Sequence, residues 1–278
     1  MCCRVAQVFG PPRAATGTVA QVFRPAYVSG TKVPRYVPRY VSGATATQAP
    51  SGIGEDAAAK ALLDRVVAAK GGIEKLKAIR TIAADTASTA QTPEGPIEAA
   101  VMTRLEYPNR VHVEIRAPQG TQVQVYDGRR AWVRDPMGVH DVEPRMVREL
   151  EAGLKRDAVA LLVAAEHGDL RVRVLPDVKD PDSGKLSHAL ELSSSTLDPI
   201  VLYVEPESAL IVKQTYVAGG PGQPLIEERF GDYRLVDGVQ VPFTATVTRG
   251  GQKILERRLT DIRFNTPLDP TLFRRPSP

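Results

Sequence analysis

The sequence predicts an α+β fold: one large curled antiparallel sheet, an unclosed β-barrel, covered by two helical regions. Three observations carry that expectation. Apolar residues alternate with polar ones through most of the chain beyond residue 80. Asp-Gly and Gly-Gly pairs separate the alternating runs, as hairpins require. Helical spacing is confined to 55–79 and 144–167.

The first segment, 1–54, repeats itself: Val-Ala-Gln-Val-Phe at 5–9 and 19–23, Tyr-Val-Ser-Gly at 27–30 and 40–43, Val-Pro-Arg-Tyr at 33–36 and 37–40. Proline and glycine punctuate it, and it offers too little apolar surface to offset its ordering entropy. It is expected to be a disordered, basic leader or linker. The functional alternative is a tail that touches anionic lipid or nucleic acid.

The ordered domain is expected over 55–278. Ala59, Leu62, Leu63, Val66 and Val67 form one helical stripe, with acids early and Lys70 late, as the helix dipole prefers. Gly71-Gly72 stops that helix. A short second turn spaces Ile73, Leu76 and Ile79.

From Thr81 the period is two. Pro108-Asn109 is a turn, after which Val111, Val113 and Ile115 alternate with His112, Glu114 and Arg116. Val123 and Val125 alternate with Gln122, Gln124 and Tyr126, and Asp127-Gly128 turns the chain into 131–134. Over 144–167, Met146, Val147, Leu150, Leu154, Leu161 and Leu162 restore helical spacing, with a break expected at Gly153 and a stop at Gly168. Strands resume over 170–175, 189–193, 200–204, 210–217, 226–235, 241–249 and 254–264. Some ten strands in one sheet favour a curled one.

Charge narrows the function classes. The chain carries +4 overall, and its first 54 residues hold six basic and no acidic side chains, +6, so the remainder sums to −2. No basic stripe able to neutralise a run of phosphates lies in 55–278, so nucleic acid is not an expected partner. Cys2 and Cys3 give no disulfide framework. No run of 18 apolar residues spans a membrane, and Arg4, Pro11, Pro12 and Arg13 interrupt any secretory signal core at the start.

The sequence carries no catalytic motif and no metal-site pattern, and it implies no cofactor. His112, His140, His167 and His188 lie in no zinc-ligand pattern. His112 and Glu114 share a strand face, and alternation puts them on its solvated side. His140-Asp141 sits beside turn residues, and His167 at a helix end. Ser193, Ser194 and Ser195 lie in a polar run without a nucleophile elbow. The glycines at 219, 220 and 222 suit a hairpin loop better than a phosphate cradle. Glu227 and Glu228 point to opposite faces of a strand and make poor acid/base partners. A hydrolase with a dispersed site would need a triad assembled from distant residues.

Large aromatic side chains, by contrast, are spread about one per strand: Tyr107, Tyr126, Trp132, Tyr203, Phe230, Tyr233 and Phe243. They are the expected lining of an apolar cavity beneath the helices. Ordinary core packing is the alternative for each.

Six segments, in this order, carry a family resemblance. They are Ala-Leu-Leu-Asp-Arg-Val-Val-Ala-Ala-Lys-Gly-Gly-Ile-Glu-Lys-Leu-Lys-Ala-Ile (61–79), Tyr-Pro-Asn-Arg (107–110) and Tyr-Asp-Gly-Arg-Arg-Ala-Trp (126–132). They continue with Tyr-Val-Glu-Pro-Glu-Ser-Ala-Leu (203–210), Phe-Gly-Asp-Tyr-Arg-Leu-Val-Asp-Gly-Val-Gln-Val-Pro-Phe (230–243) and Asn-Thr-Pro-Leu-Asp-Pro-Thr-Leu-Phe (265–273). Together they resemble the outer-membrane lipoprotein-sorting (LolA/LolB-like) superfamily over about residues 59–276, and most closely its branch found alone or behind zinc-peptidase-like domains.

The resemblance implies an unclosed β-barrel with a helical lid over a hydrophobic cavity that holds acyl chains of lipoproteins or other lipids. It also implies a periplasmic or cell-envelope location and an envelope protein as partner. No lipobox precedes Cys2-Cys3, the peptidase motif of the attached proteins is absent, and no lid or ligand arginine of the family is assigned to a residue here. The expected function is therefore a non-catalytic carrier or binding domain for lipid or acyl chains. The alternative is a structural or interaction module with a filled core, an accessory domain of a zinc-peptidase-like protein.

Overall fold

The computed structural model describes residues 53–219 and 222–276. The expected leader, 1–54, lies outside the described residues but for its last two, which open the first helix.

Helix α1 (Ile53–Lys70) buries Ala59, Leu62, Leu63, Val66 and Val67, the stripe its sequence spacing defines. It ends at Gly71, whose φ of +130° suits glycine alone. A Cβ there would stand 2.4 Å from the Gly238 carbonyl oxygen, so the helix end and a distant hairpin meet backbone to backbone. Helix α2 (Ile73–Ala78) follows and buries Leu76.

Six strands then form a meander: β1 (Thr81–Thr92), β2 (Gly95–Glu106), β3 (Arg110–Ala117), β4 (Gly120–Tyr126), β5 (Ala131–Asp135) and β6 (Gly138–Asp141). The chain crosses through α3 (Pro144–Lys155) and α4 (Ala158–Glu166). A second meander returns: β7 (Arg171–Lys179), β8 (Leu186–Ser194), β9 (Leu197–Val204), β10 (Ile211–Val217), β11 (Leu225–Val236), β12 (Val239–Arg249) and β13 (Gln252–Phe264). Strands β1 and β13 pair, from Ile82 opposite Phe264 to Ala90 opposite Leu255, and join the meanders into one 13-stranded antiparallel sheet. Its edges, β6 and β7, do not pair, so the curled sheet stays open.

Three local expectations are corrected. Gly153 does not break the second helical region; it is buried within α3. The break falls at Arg156-Asp157, where the Asp157 carboxylate accepts from the Val159 N–H and caps α4. His140 and Asp141, read as turn neighbours, belong to β6, which pairs with β5 through a turn at Pro136-Met137. His112 is not solvated, although it does take the polar alternation of β3. It is 8% exposed. The C-terminal segment beyond β13, with a 3-10 turn over Pro270–Phe273, lies against β3 and β4 and covers that face.

Two clusters of apolar side chains follow from the register. The larger occupies the sheet face that α1 and α4 cover, and includes Ile82, Val111, Val113 and Ile115, each fully buried. We call this the inner face. Burying each such side chain contributes about 1.5–3 kcal/mol. The smaller, on the opposite face, joins Val123, Val125 and Trp132 to Phe273 of the C-terminal segment. Arg110 stacks on the Phe273 ring, 4.4 Å from its centroid.

Candidate functional site

Register decides which of the seven sequence-selected aromatics share a face. Tyr126 lies opposite Ala131 and belongs to the inner cluster. Phe243 belongs to it as well, and Phe230 packs against it from β11. Tyr107 packs on the same cluster at the β2–β3 turn.

Trp132 pairs with Val125 and so takes the opposite face, in the smaller cluster. Tyr203 pairs with Lys213, whose ammonium lies 4.2 Å from its ring centroid, on the face that Glu227 also takes. One aromatic per strand says nothing about face, because neighbours along a strand point opposite ways. Tyr233 lies against the end of α1: Lys70 Nζ is 5.4 Å from its ring centroid. Its hydroxyl donates to the Ile211 carbonyl at 2.6 Å.

The inner aromatics are tied to the helices by their hydroxyls. Tyr126 donates to Glu151 of α3 at 2.6 Å. Burial, and then the Glu151 carboxylate, push the Tyr126 phenol up, so it stays a neutral donor. Tyr107 donates at 2.5 Å to Asp157, the residue that caps α4. Burial raises the Tyr233 phenol in the same way.

Lys70 is the unexpected charge of this region. It is 3% exposed and donates to the Gln240 carbonyl. Burial pulls its ammonium down to about 7, and Asp157 resists that shift. A second polar group lies on the inner face itself. Glu228, fully buried, accepts from the Tyr216 hydroxyl at 2.8 Å and from Arg257 at 3.0 Å. The Arg156 guanidinium sits 4.6 Å from the Tyr216 ring centroid and 3.6 Å from Glu149. Glu227 and Glu228 do take opposite faces, and Glu228 is the inward one.

None of these ionisable groups is among the sequence-selected residues. A signal for two of them exists: Glu228 falls between Ile226 and Phe230, and Arg257 between Leu255 and Leu259, each a charge at an alternating apolar position. Among the described residues no group of three His, Cys, Asp or Glu side chains is placed to hold a metal ion. His188 meets Asp177 at 2.9 Å and His140 meets Asp135 at 3.3 Å, both beside the sheet edges.

No protein-family model matches the chain, and no curated protein matches it in sequence. Solved structures do match. A LolA superfamily protein from Nitrosomonas europaea superposes with a TM-score of 0.55 at 14% identity, over 78% of this chain and 97% of that one. The chain shares the fold of the LolA superfamily. A DUF1329-family protein from Desulfovibrio piger superposes with a TM-score of 0.54 at 12% identity, over 78% of this chain and 97% of its own. At these identities the likeness establishes the fold alone. No helix among the described residues is long and apolar enough to cross a membrane.

Proposed function

We propose that this protein is a non-catalytic carrier or binding domain for lipid acyl chains, held in a hydrophobic cavity between the inner sheet face and the helices. Its setting on this reading is the bacterial periplasm or cell envelope. One observation supports it above the rest: a 13-stranded sheet left open at both edges turns one apolar face toward helices whose apolar side chains pack on it, and which two hydroxyl–carboxylate bonds also join to it. An acyl chain entering there would take the place of helix side chains such as Leu63, Leu161 and Leu162, so its own burial offsets the apolar contact that is lost. Tyr107, Tyr126, Phe230, Tyr233 and Phe243 are the proposed contacts. Trp132 and Tyr203, on the other face, are left out of the set.

The LolA-superfamily fold agrees with an acyl ligand and an envelope protein as delivery partner.

A second reading has its own support. Ile82, Val111, Val113 and Ile115 are already buried without any ligand, as in an interaction module with a filled core. Chain length separates the two readings. In a carrier, each buried methylene adds ~0.8 kcal/mol, roughly fourfold in affinity. Displacement of a fluorescent acyl probe from the full chain by saturated acyl chains of increasing length reads this directly. A stepwise rise supports the carrier, and equal affinity for short and long chains contradicts it.

A further inference from the structure

We infer that the C-terminal segment, residues 265–276, is a strap that acid releases: protonation of His112 beneath it opens it and bares Trp132 with the apolar patch around that ring. The device lies on the outer face of the sheet, away from the proposed acyl contacts.

Register draws one row across five consecutive strands of that face. Arg104, His112, Val125, Trp132 and Asp141 stand opposite one another, one each on β2 to β6. The C-terminal segment covers this row. Phe273 packs on Val125 and Trp132, with Leu268 and Leu272 beside it. Arg275 pairs with Asp141 at the far end, and the 3-10 turn packs over β3 and β4. Val111, Val113 and Ile115 turn to the inner face, so His112 faces the side that the segment covers.

The segment can leave without unravelling the sheet. Its base is fixed: the Asn265 N–H donates to the Thr81 carbonyl, and the Thr81 hydroxyl donates to the Thr266 carbonyl. From Pro267 on, its backbone bonds close its own turn, Leu272 to Asp269 and Arg274 to Thr271. Side chains join it to the row: the Phe273 ring against Arg110, the two leucines, and the Arg275–Asp141 pair.

Acid acts on His112. Its Nδ1 is buried and has no hydrogen-bond partner among the described residues. A neutral imidazole can leave that nitrogen a bare acceptor. The imidazolium carries an N–H on both nitrogens and would bury a donor with nothing to receive it. Its charged surroundings offer little relief. Arg104 of β2, Arg110 of β3 and Arg134 of β5 are cations, β4 presents Val123 and Val125, and the segment brings Asp269, Arg274 and Arg275. The carboxylates are engaged: Glu114 with Arg116 at 2.6 Å, Glu106 with Arg110 at 3.0 Å, Asp85 with Arg104 at 2.8 Å, and Asp141 with Arg275. Asp269 accepts from the Thr271 N–H of its own turn. Burial pulls the His112 imidazolium below its ordinary value of 6.5; Glu114 resists, and Arg104 and Arg134 add to the fall. The open segment thus lets His112 take a proton that the closed one refuses. Closure is intact above about pH 6.5 and weakens below it, by up to about tenfold per pH unit.

Trp132 is the chain's only tryptophan and is 2% exposed, so its emission reports the strap. Acrylamide quenching of the full chain should rise by about threefold or more from pH 7.5 to pH 5.5, with far-UV circular dichroism unchanged. His112→Gln should abolish the rise, and His112→Leu serves if the glutamine variant fails to fold. Phe273→Ala should be quenched readily at both pH values. Wild-type quenching that ignores pH overturns the strap, as does an equal rise in a folded His112 variant. A rise that comes only with loss of the sheet signal, or a Phe273→Ala variant as shielded as the wild type at pH 7.5, overturns it as well.

Discussion

Lys70 shows what a single buried charge does to this fold. Its pKa in the folded chain lies near 7, against 10.5 for the free side chain. Between these values the unfolded chain keeps a proton that the folded chain has released, so stability rises with pH through the window. Below about pH 7 the folded state carries the full cost of a buried ammonium. Urea unfolding at pH 7 and pH 9 should show the wild type gaining on the order of 2–3 kcal/mol more than Lys70→Met over that interval. Parallel behaviour of the two proteins would refute the shift. The Glu228–Arg257 pair makes a second case. Arg257→Leu leaves a buried carboxylate and should cost about 3–5 kcal/mol, and adding Glu228→Leu should recover much of that loss. Denaturant midpoints for the single and double variants check it. Sequence shows Lys70 one turn beyond Val66 and Val67 on the apolar stripe, but its partner carbonyl at Gln240 comes 170 residues later. No local pattern announces such a contact.

At the level of elements, the hairpin between β4 and β5 explains why half of the site was legible. Alternation and the Asp127-Gly128 turn are plain in the sequence, and both strands form. Facing depends on the register across the turn. Tyr126 opposite Ala131 sends Trp132 to the other side, and Asp-Gly alone does not fix the loop length that decides this. The outer cluster around Trp132 was illegible for a different reason: its cover, Phe273, arrives from the C-terminus. Phe273→Ala should therefore destabilise the protein by about 3–5 kcal/mol in thermal or urea unfolding and leave acyl affinity unchanged. Weakened acyl binding in a folded Phe273→Ala variant would contradict the division of faces. Asp157, which caps α4 and accepts from Tyr107, joins helix to sheet. Asp157→Ala should cost about 1–2 kcal/mol of stability. It should also speed acyl release in stopped-flow measurements, because the helix then parts from the sheet more readily.

The whole molecule rests on one long-range choice, the pairing of β1 with β13. Each meander is a string of local hairpins, which is why the strands and most turns could be read from the sequence. Their union into a single open sheet is set by contacts between the ends of the described chain, such as the Asn265 side chain accepting from the Arg80 N–H at 2.7 Å. That union gives the inner face its size and leaves β6 and β7 as free edges. The central claim is that this face holds acyl chains, and native mass spectrometry with lipid extraction on the full chain, purified from bacterial cells, tests it most directly. The account predicts a co-purifying or reloadable acyl lipid that is lost in a folded Phe230→Asp variant and kept in Trp132→Phe. A clean apo mass that stays unchanged when long-chain lipid is added would contradict it.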